Sequence, residues 1–178
     1  MTFSAAVLAG GRSRRMGRDK AWIEVDGEPM VVRIVRRLEQ TSDDVFVVAK
    51  DVSRFEASGL RAVADATDEQ TPLAGIAAAL RDPHHDLVFV CACDMPDVDP
   101  DLVRSLAERC VGVDAVVPVR DGVLQPMHAV WTRSASDVVD AALAAGERAP
   151  KRVLQQLRTL EVPLESASLD DRDTIGLS

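Results

Sequence analysis

A chain of 178 residues, 47% of them hydrophobic, is long enough to bury one core and short enough to need one domain, spanning 1–178. Its formal net charge of -8 argues against nucleic acid as a partner, because such binders are ordinarily basic. No apolar run reaches membrane-spanning length, the apolar start is too short for a signal peptide, and three cysteines are too few and odd for a disulfide framework, so a cytoplasmic protein with no membrane partner is expected.

The chain opens with an apolar run over residues 3–8 that predicts a buried first strand with Val7 and Leu8 at its end, and Ala9 follows. Adjacent Gly10 and Gly11 break it. Arg12, Arg14, Arg15, Arg18 and Lys20 then follow before any apolar pattern resumes. Adjacent glycines let backbone N–H groups approach a ligand, because no Cβ stands in the way. Successive inward N–H groups make an anion-binding concavity. Arginine forks onto phosphate oxygens and lysine adds a point charge. Strand, glycine loop and cations together predict a polyphosphate site. The string is neither a Walker A loop nor the Gly-x-Gly-x-x-Gly dinucleotide fingerprint. In an acidic chain whose only lysines are Lys20, Lys50 and Lys151, the cationic cluster stands out.

Beyond the loop, a short apolar piece over 22–25 leads to a turn at Asp26-Gly27-Glu28-Pro29. A helix is predicted to start there, with Met30, Ile34, Val35 and Leu38 at helical spacing. Residues 45–49 predict a second buried strand, and 53–58 a short helix closed by Gly59. A third strand over 61–64 ends at Asp65. A helix over 72–80 begins on Pro72, proline being favoured in a first turn. Residues 87–92 predict a fourth strand delivering Cys93-Asp94-Met95-Pro96 at its tip. A helix over 100–110 and a fifth strand over 115–119 come next, then a turn at Gly122 with a strand over 125–131 paired after it. Helices over 134–145 and 150–157 and a last strand over 160–163 complete the pattern. The polar tail 165–178 loses periodicity.

Short apolar strands alternating with helices predict an α/β fold of three layers, a mostly parallel sheet with helices on both faces. Ligands in such sheets sit beyond the C-terminal strand ends. The glycine loop, Asp65 and Asp94 all fall there. A hard cation such as Mg²⁺ takes carboxylate, phosphate and water oxygens, which makes Asp94 the candidate metal ligand. Asp97, Asp99 and Asp101 read as a solvated, helix-starting acidic run. Cys91-x-Cys93 lies in an apolar strand and reads as packing rather than as a soft-metal site. His128, flanked by Met127 and Val130, reads as a structural histidine, with acid–base work the lesser reading. His84 and His85 fall in a polar turn and read as surface-exposed. No Ser-His-Asp set can be argued, so acyl transfer is unsupported.

The string from Leu8 to Lys20 resembles the Leu-Ala-Gly-Gly-x-Ser-x-Arg-Met-Gly-x-Asp-Lys signature of the molybdenum cofactor guanylyltransferases, within the wider sugar-nucleotide-type nucleotidyltransferases. Thr71-Pro72-Leu73-Ala74-Gly75 is similar to the family's Gly-Pro-Leu-Ala-Gly segment, Thr71 standing for the usual Gly. Cys93-Asp94-Met95-Pro96, Gln125-Pro126-Met127-His128-Ala129 and Gly146-Glu147-Arg148 look like further family segments. The resemblance implies a Rossmann-like nucleotidyltransferase fold, and GMP transfer from GTP to molybdopterin or molybdenum cofactor with Mg²⁺ as cofactor. It implies catalytic roles for Arg15, Lys20 and Asp94, with Asp94 also holding the metal. It implies nucleotide contacts from Leu8, Ala9, Gly10, Gly11, Lys20, Asp65, Pro72, Leu73, Ala74, Gly75 and Asp94, with Leu73 lying on the base. Molybdenum-cofactor insertion proteins or acceptor enzymes are the implied protein partners.

Two segments depart from the family. Ala49-Lys50-Asp51 stands where an Asn usually follows the second strand. Leu169-Asp170-Asp171-Arg172-Asp173-Thr174 stands where an Asn-x-Asn-Thr-Pro segment is usual. Three alternatives therefore stay open: cytidylyl transfer to molybdopterin, guanylyl transfer to another small phosphate such as a phospholactate, and a non-catalytic GTP-binding accessory protein.

Overall fold

The computed structural model describes residues 1–10, 20–65 and 71–164. The strands among them are β1 (Ser4–Leu8), β2 (Glu24–Val25), β3 (Glu28–Pro29), β4 (Asp44–Ala49), β5 (Ala62–Ala64), β6 (Leu87–Ala92), β7 (Ala115–Arg120), β8 (Val123–Leu124), β9 (His128–Thr132) and β10 (Thr159–Leu164). The helices are α1 (Met30–Leu38), α2 (Ser53–Glu56), α3 (Pro72–Arg81), α4 (Pro100–Glu108), α5 (Ser136–Ala144) and α6 (Pro150–Leu154). The main sheet runs β10-β7-β9-β6-β1-β4-β5, with β8 hydrogen-bonded to β7. Pairs β10/β7, β6/β1, β1/β4 and β4/β5 are parallel, while β9 runs antiparallel to both β6 and β7. The fold is therefore the three-layer α/β arrangement expected, with a mostly parallel mixed sheet.

Each central strand is apolar on both sides, because both faces are covered. In β1, Ala5 and Val7 join one core with α1, α2 and α4; Ala6 and Leu8 join the other with α3, α5 and α6. The same alternation splits Phe89 and Cys91 from Val88 and Val90 in β6. Each such Val, Leu or Phe side chain taken out of water contributes about 1.5–3 kcal/mol. Helix starts follow local chemistry. Thr71 Oγ1 accepts the Ala74 N–H at 3.2 Å ahead of Pro72, and an Asp99 carboxylate oxygen accepts the Asp101 N–H at 2.9 Å ahead of Pro100.

Three short strands were not anticipated. Strands β2 and β3 form a hairpin around Asp26-Gly27, and β7 and β8 another around Asp121-Gly122. Both turns place two successive residues at positive φ: 53° and 81° in the first, 50° and 75° in the second. That geometry selects Asp-Gly, since glycine adopts it freely and aspartate tolerates it. The strand expected over 125–131 begins only at His128. Pro126 has no N–H for a ladder, and the His128 N–H instead closes a turn onto the Gln125 carbonyl at 3.0 Å. The last helix stops at Leu154 rather than 157, its end closed by the Gln156 N–H on the Val153 carbonyl at 2.9 Å.

A buried polar knot closes the N-terminal ends of the strands. Asp44, 3% exposed, accepts from Ser4 Oγ at 2.5 Å, from the His84 N–H at 2.9 Å and from Arg61 Nη1 at 2.9 Å. His84 is exposed as expected. His85 is not: its ring is half-buried, with Nε2 2.7 Å from Asp43 Oδ1. No helix among the described residues is long and apolar enough to cross a membrane.

Candidate active site

The strand ends that carry the candidate residues lie side by side. Leu8 of β1 is in register with Val48 of β4 on one side and with Ala92 of β6 on the other. Lateral hydrogen bonds then continue past the sheet. The Ala9 N–H donates to the Val48 carbonyl at 2.8 Å, the Cys93 N–H to the Leu8 carbonyl at 3.2 Å, and the Asp65 N–H to the Ala49 carbonyl at 2.9 Å. Gly10, Lys50, Asp65 and Asp94 thus project from one edge. Gly10 is exposed, and a Cβ built on it would meet nothing within 4 Å. Gly11 and Arg15, with the rest of 11–19, lie outside the described residues, as do 66–70 and the tail 165–178.

Lys20, at the far end of the predicted glycine loop, is anchored. Lys20 opens a 3₁₀ turn, Lys20–Trp22, and its carbonyl accepts the Ile23 N–H at 3.2 Å. The Trp22 ring packs on Phe55 at a centroid distance of 5.3 Å, and the Arg54 guanidinium lies 4.9 Å over it. This aromatic–cation stack fixes the base of the Lys20 arm against α2.

Helix α3 begins beside the tip of β1. A Cβ on Gly75 would stand 3.0 Å from Leu8 Cδ1, so glycine there eases the close packing of α3 on the tip of β1. Pro72 is exposed and Thr71 half-buried. Leu73 and Ala74, each 0% exposed, turn inward with Ile76 and Leu80. The expectation that Leu73 lies on a base does not fit this arrangement: α3 uses Leu73 to bury its inner face. Of the start of α3, Thr71 and Pro72 are what remains accessible to a ligand.

Asp65 is 8% exposed, and Lys50 reaches it twice, with Nζ 3.2 Å from Asp65 Oδ2 and 3.2 Å from the Asp65 carbonyl. The residue that departs from the family pattern therefore grips the carboxylate assigned to the nucleoside. Sequence reasoning could not pair them, because the partners come from different strands.

Asp94 sits half-buried in the turn after β6. Its chemistry fits the expected cation. It is a hard carboxylate presented at a strand end. One carboxylate suits Mg²⁺, which keeps several waters and binds phosphate oxygens. Soft-metal chemistry at the cysteines does not fit. Cys91 is fully buried, and burial pushes its thiol well above the ordinary range; Cys110 is pushed up to about 11 by the same cause, with Asp114 adding to it.

The acidic run after Asp94 is not simply solvated. Asp97 is half-buried and takes Arg33 Nη2 at 2.8 Å, while Asp99 and Asp101 stay at the surface, Asp99 capping α4 and Asp101 pairing with Arg104 at 2.9 Å. His128 is 1% exposed, with neither ring nitrogen hydrogen-bonded, and its ring stands edge-on to Phe89 at 5.0 Å. Burial pulls its pKa down to about 4, the charge of Asp99 opposing slightly.

Comparison with known proteins bears on family and fold. The model of the MobA-like NTP transferase domain matches residues 5–162. The molybdenum cofactor guanylyltransferase of Pseudomonas putida is 38% identical over 173 residues, covering 95% of this chain and 90% of that one. The probable molybdenum cofactor guanylyltransferase of Pelotomaculum thermopropionicum is 37% identical over 142 residues, 80% of this chain and 69% of that one. Among solved structures, molybdopterin-guanine dinucleotide biosynthesis protein A from Archaeoglobus fulgidus superposes with a TM-score of 0.76 at 28% identity, covering 90% of this chain and 83% of that one. A cytidylyltransferase from Thermus thermophilus, at 20% identity and a TM-score of 0.73 over 97% of this chain and 93% of that one, shares the fold.

Proposed function

We propose, for a chain that belongs to the MobA-like NTP transferase family, that it moves GMP from GTP onto the terminal phosphate of molybdopterin or its molybdenum form. That it is a nucleotidyltransferase follows from the family. The choice of GTP and of the acceptor is our reading. It is supported by the guanylyltransferase relatives and by the Leu8–Lys20 string. The observation that carries it is the run of neighbouring strand tips β6, β1, β4 and β5, with Gly10, Asp65 and Asp94 on one edge.

In this reading the triphosphate lies on the loop from Leu8, Ala9, Gly10 and Gly11 onward, where backbone N–H groups and the cations of Arg15 and Lys20 offset its charge. The nucleoside lies toward Asp65 and the accessible start of α3 at Thr71 and Pro72. Asp94 holds Mg²⁺, which when bound neutralises charge on the phosphates. An acceptor phosphate oxygen forms a bond to the α-phosphorus as the bond to the β-phosphate bridging oxygen breaks, and pyrophosphate leaves with that electron pair. The acceptor is already an anion, so no strong base is required. His128, enclosed and neutral at pH 7, is not asked to be one. The reaction is taken to run in the cytoplasm, with insertion proteins or acceptor enzymes receiving the product.

The test is pyrophosphate release with molybdopterin and GTP, CTP or ATP in parallel, for wild type, Lys20→Ala and Asp94→Ala. GTP-selective release that falls roughly 100-fold in Lys20→Ala and vanishes in Asp94→Ala is expected. CTP preference would reassign the donor. GTP binding without release would make the chain an accessory protein.

A further inference from the structure

Helix α1 touches both halves of the site without contributing a residue to it. At its start, the Met30 N–H donates to the Ile23 carbonyl at 2.8 Å, and the Ile23 N–H donates to the Lys20 carbonyl at 3.2 Å. The helix is thus tethered to the arm that carries Lys20. One turn on, Arg33 and Arg37 stand four residues apart and so share a face. Arg33 is half-buried; its Nη2 donates to Asp97 Oδ1 at 2.8 Å and its Nη1 to Asp26 Oδ2 at 3.2 Å. Arg37 Nε donates to the Val98 carbonyl at 2.7 Å, with its Nη1 3.7 Å from Asp97 Oδ1. Asp97 and Val98 are the third and fourth residues after Asp94, across a buried Pro96 whose ring limits the backbone. Charge-assisted bonds of this kind are about twice as strong as neutral ones. Two guanidinium groups on one rigid helix therefore grip the segment that delivers Asp94, and the same helix is bonded to the Lys20 turn.

We propose that Arg33 and Arg37 are positioning residues, a bracket on α1 that sets the Asp94 carboxylate at a fixed spacing from the Lys20 arm so that one triphosphate can be held between them. The inference rests on the reading of Asp94 as the residue that holds the cation. Neither arginine is asked to touch substrate. Their effect is to keep a strand-end turn from drifting, and an ångström of drift in such a residue costs on the order of 100-fold. Arginine is suited to the task, since the two arms of the Arg33 fork reach two carboxylates, Asp97 and Asp26, and its charge does not vary with pH.

The experiment titrates Mn²⁺ into the protein with GTP present, reading free Mn²⁺ by electron paramagnetic resonance, and measures kcat and the KM for GTP at saturating Mg²⁺. The proteins are wild type, Arg33→Met, Arg33→Lys, Asp97→Ala and Asp94→Asn. We expect Arg33→Met to weaken Mn²⁺ binding about tenfold, in line with the loss seen when a residue orienting a metal ligand is removed. Its kcat should fall with it, while the KM for GTP stays within about twofold because base and ribose contacts lie elsewhere. Arg33→Lys keeps the charge but loses the second arm of the fork, and should recover part of the loss. Asp97→Ala cuts the same clamp from the loop side and should behave like Arg33→Met, which keeps the test available if one variant fails to fold. If Asp94→Asn loses Mn²⁺ while both clamp variants bind as wild type does, the bracket is refuted and the proposed function stands. If Asp94→Asn binds Mn²⁺ as wild type does, the reading of Asp94 falls and takes the bracket with it. Parallel losses of Mn²⁺ binding, GTP affinity and thermal midpoint would show general loosening and also refute the bracket.

Discussion

His128 should make the protein acid-labile by an amount that can be worked out in advance. Its ring is enclosed between sheet and helices, edge-on to Phe89 at 5.0 Å, with neither nitrogen hydrogen-bonded, and burial pulls its pKa from 6.5 to about 4. The folded state therefore holds the neutral form, while the unfolded chain takes up a proton as pH falls below about 6.5. A depressed histidine pKa contributes no pH dependence above 6.5, and stability is lost on going down from 6.5 to about 4. The full shift is about 3 kcal/mol at ~1.4 kcal/mol per pH unit, with about 2 kcal/mol of it gone by pH 5. Carboxylates titrate in the same window, so the measurement is a difference. Urea unfolding of wild type and His128→Leu is run at pH 8, 7, 6, 5 and 4. Leucine fills a similar space and cannot be protonated. The variant's stability relative to wild type should be constant above pH 7 and rise by about 2 kcal/mol at pH 5 and about 3 kcal/mol at pH 4. A difference that stays flat within about 0.5 kcal/mol across that range would mean that the folded protein can hydrate or charge His128, and the argument from burial would be wrong.

Three other outcomes follow from particular contacts. Asp44→Ala leaves Ser4 Oγ, Arg61 and the His84 N–H without their shared acceptor, and should cost about 3 kcal/mol in denaturant unfolding; because the knot lies at the sheet edge opposite the site, the KM for GTP at low temperature should not move. Gly122→Ala puts a Cβ at a φ of 75° in the β7–β8 hairpin and should lower stability by about 1 kcal/mol, read as a thermal midpoint shift with activity intact. Lys50→Met removes the cation 3.2 Å from the Asp65 carboxylate, so the KM for GTP should rise about tenfold with a smaller change in kcat; equal KM values would detach Asp65 from the nucleoside.

Much of the architecture was legible because its causes are local. Apolar runs bounded by turn residues located the six strands of the main sheet other than β8 and β9 to within a residue or so, and residues 87–92 were recovered with both ends correct. The misses have local causes too. Pro126 delayed β9, and the two Asp-Gly pairs, read only as turns, are hairpins that carry strands on either side. The site was legible in outline, since a glycine loop and two strand-end carboxylates can be seen from composition and order alone. Its supporting contacts were not. Nothing near Lys50 in sequence announces Asp65, and nothing near Asp97 announces Arg33, 64 positions away.

The sequence by itself determined which segments bury both faces, where the chain must turn, and that cations and carboxylates end up beyond one edge of a parallel sheet. Period and backbone preference are carried by each residue and its neighbours. Only the tertiary structure decided that β9 enters the sheet antiparallel between β6 and β7, that Leu73 faces the core, and that Arg33 and Arg37 hold the Asp94 segment. Those outcomes depend on which strand lies next to which and in what register. That choice is made by the summed packing of distant apolar faces, and no stretch of the chain records it alone.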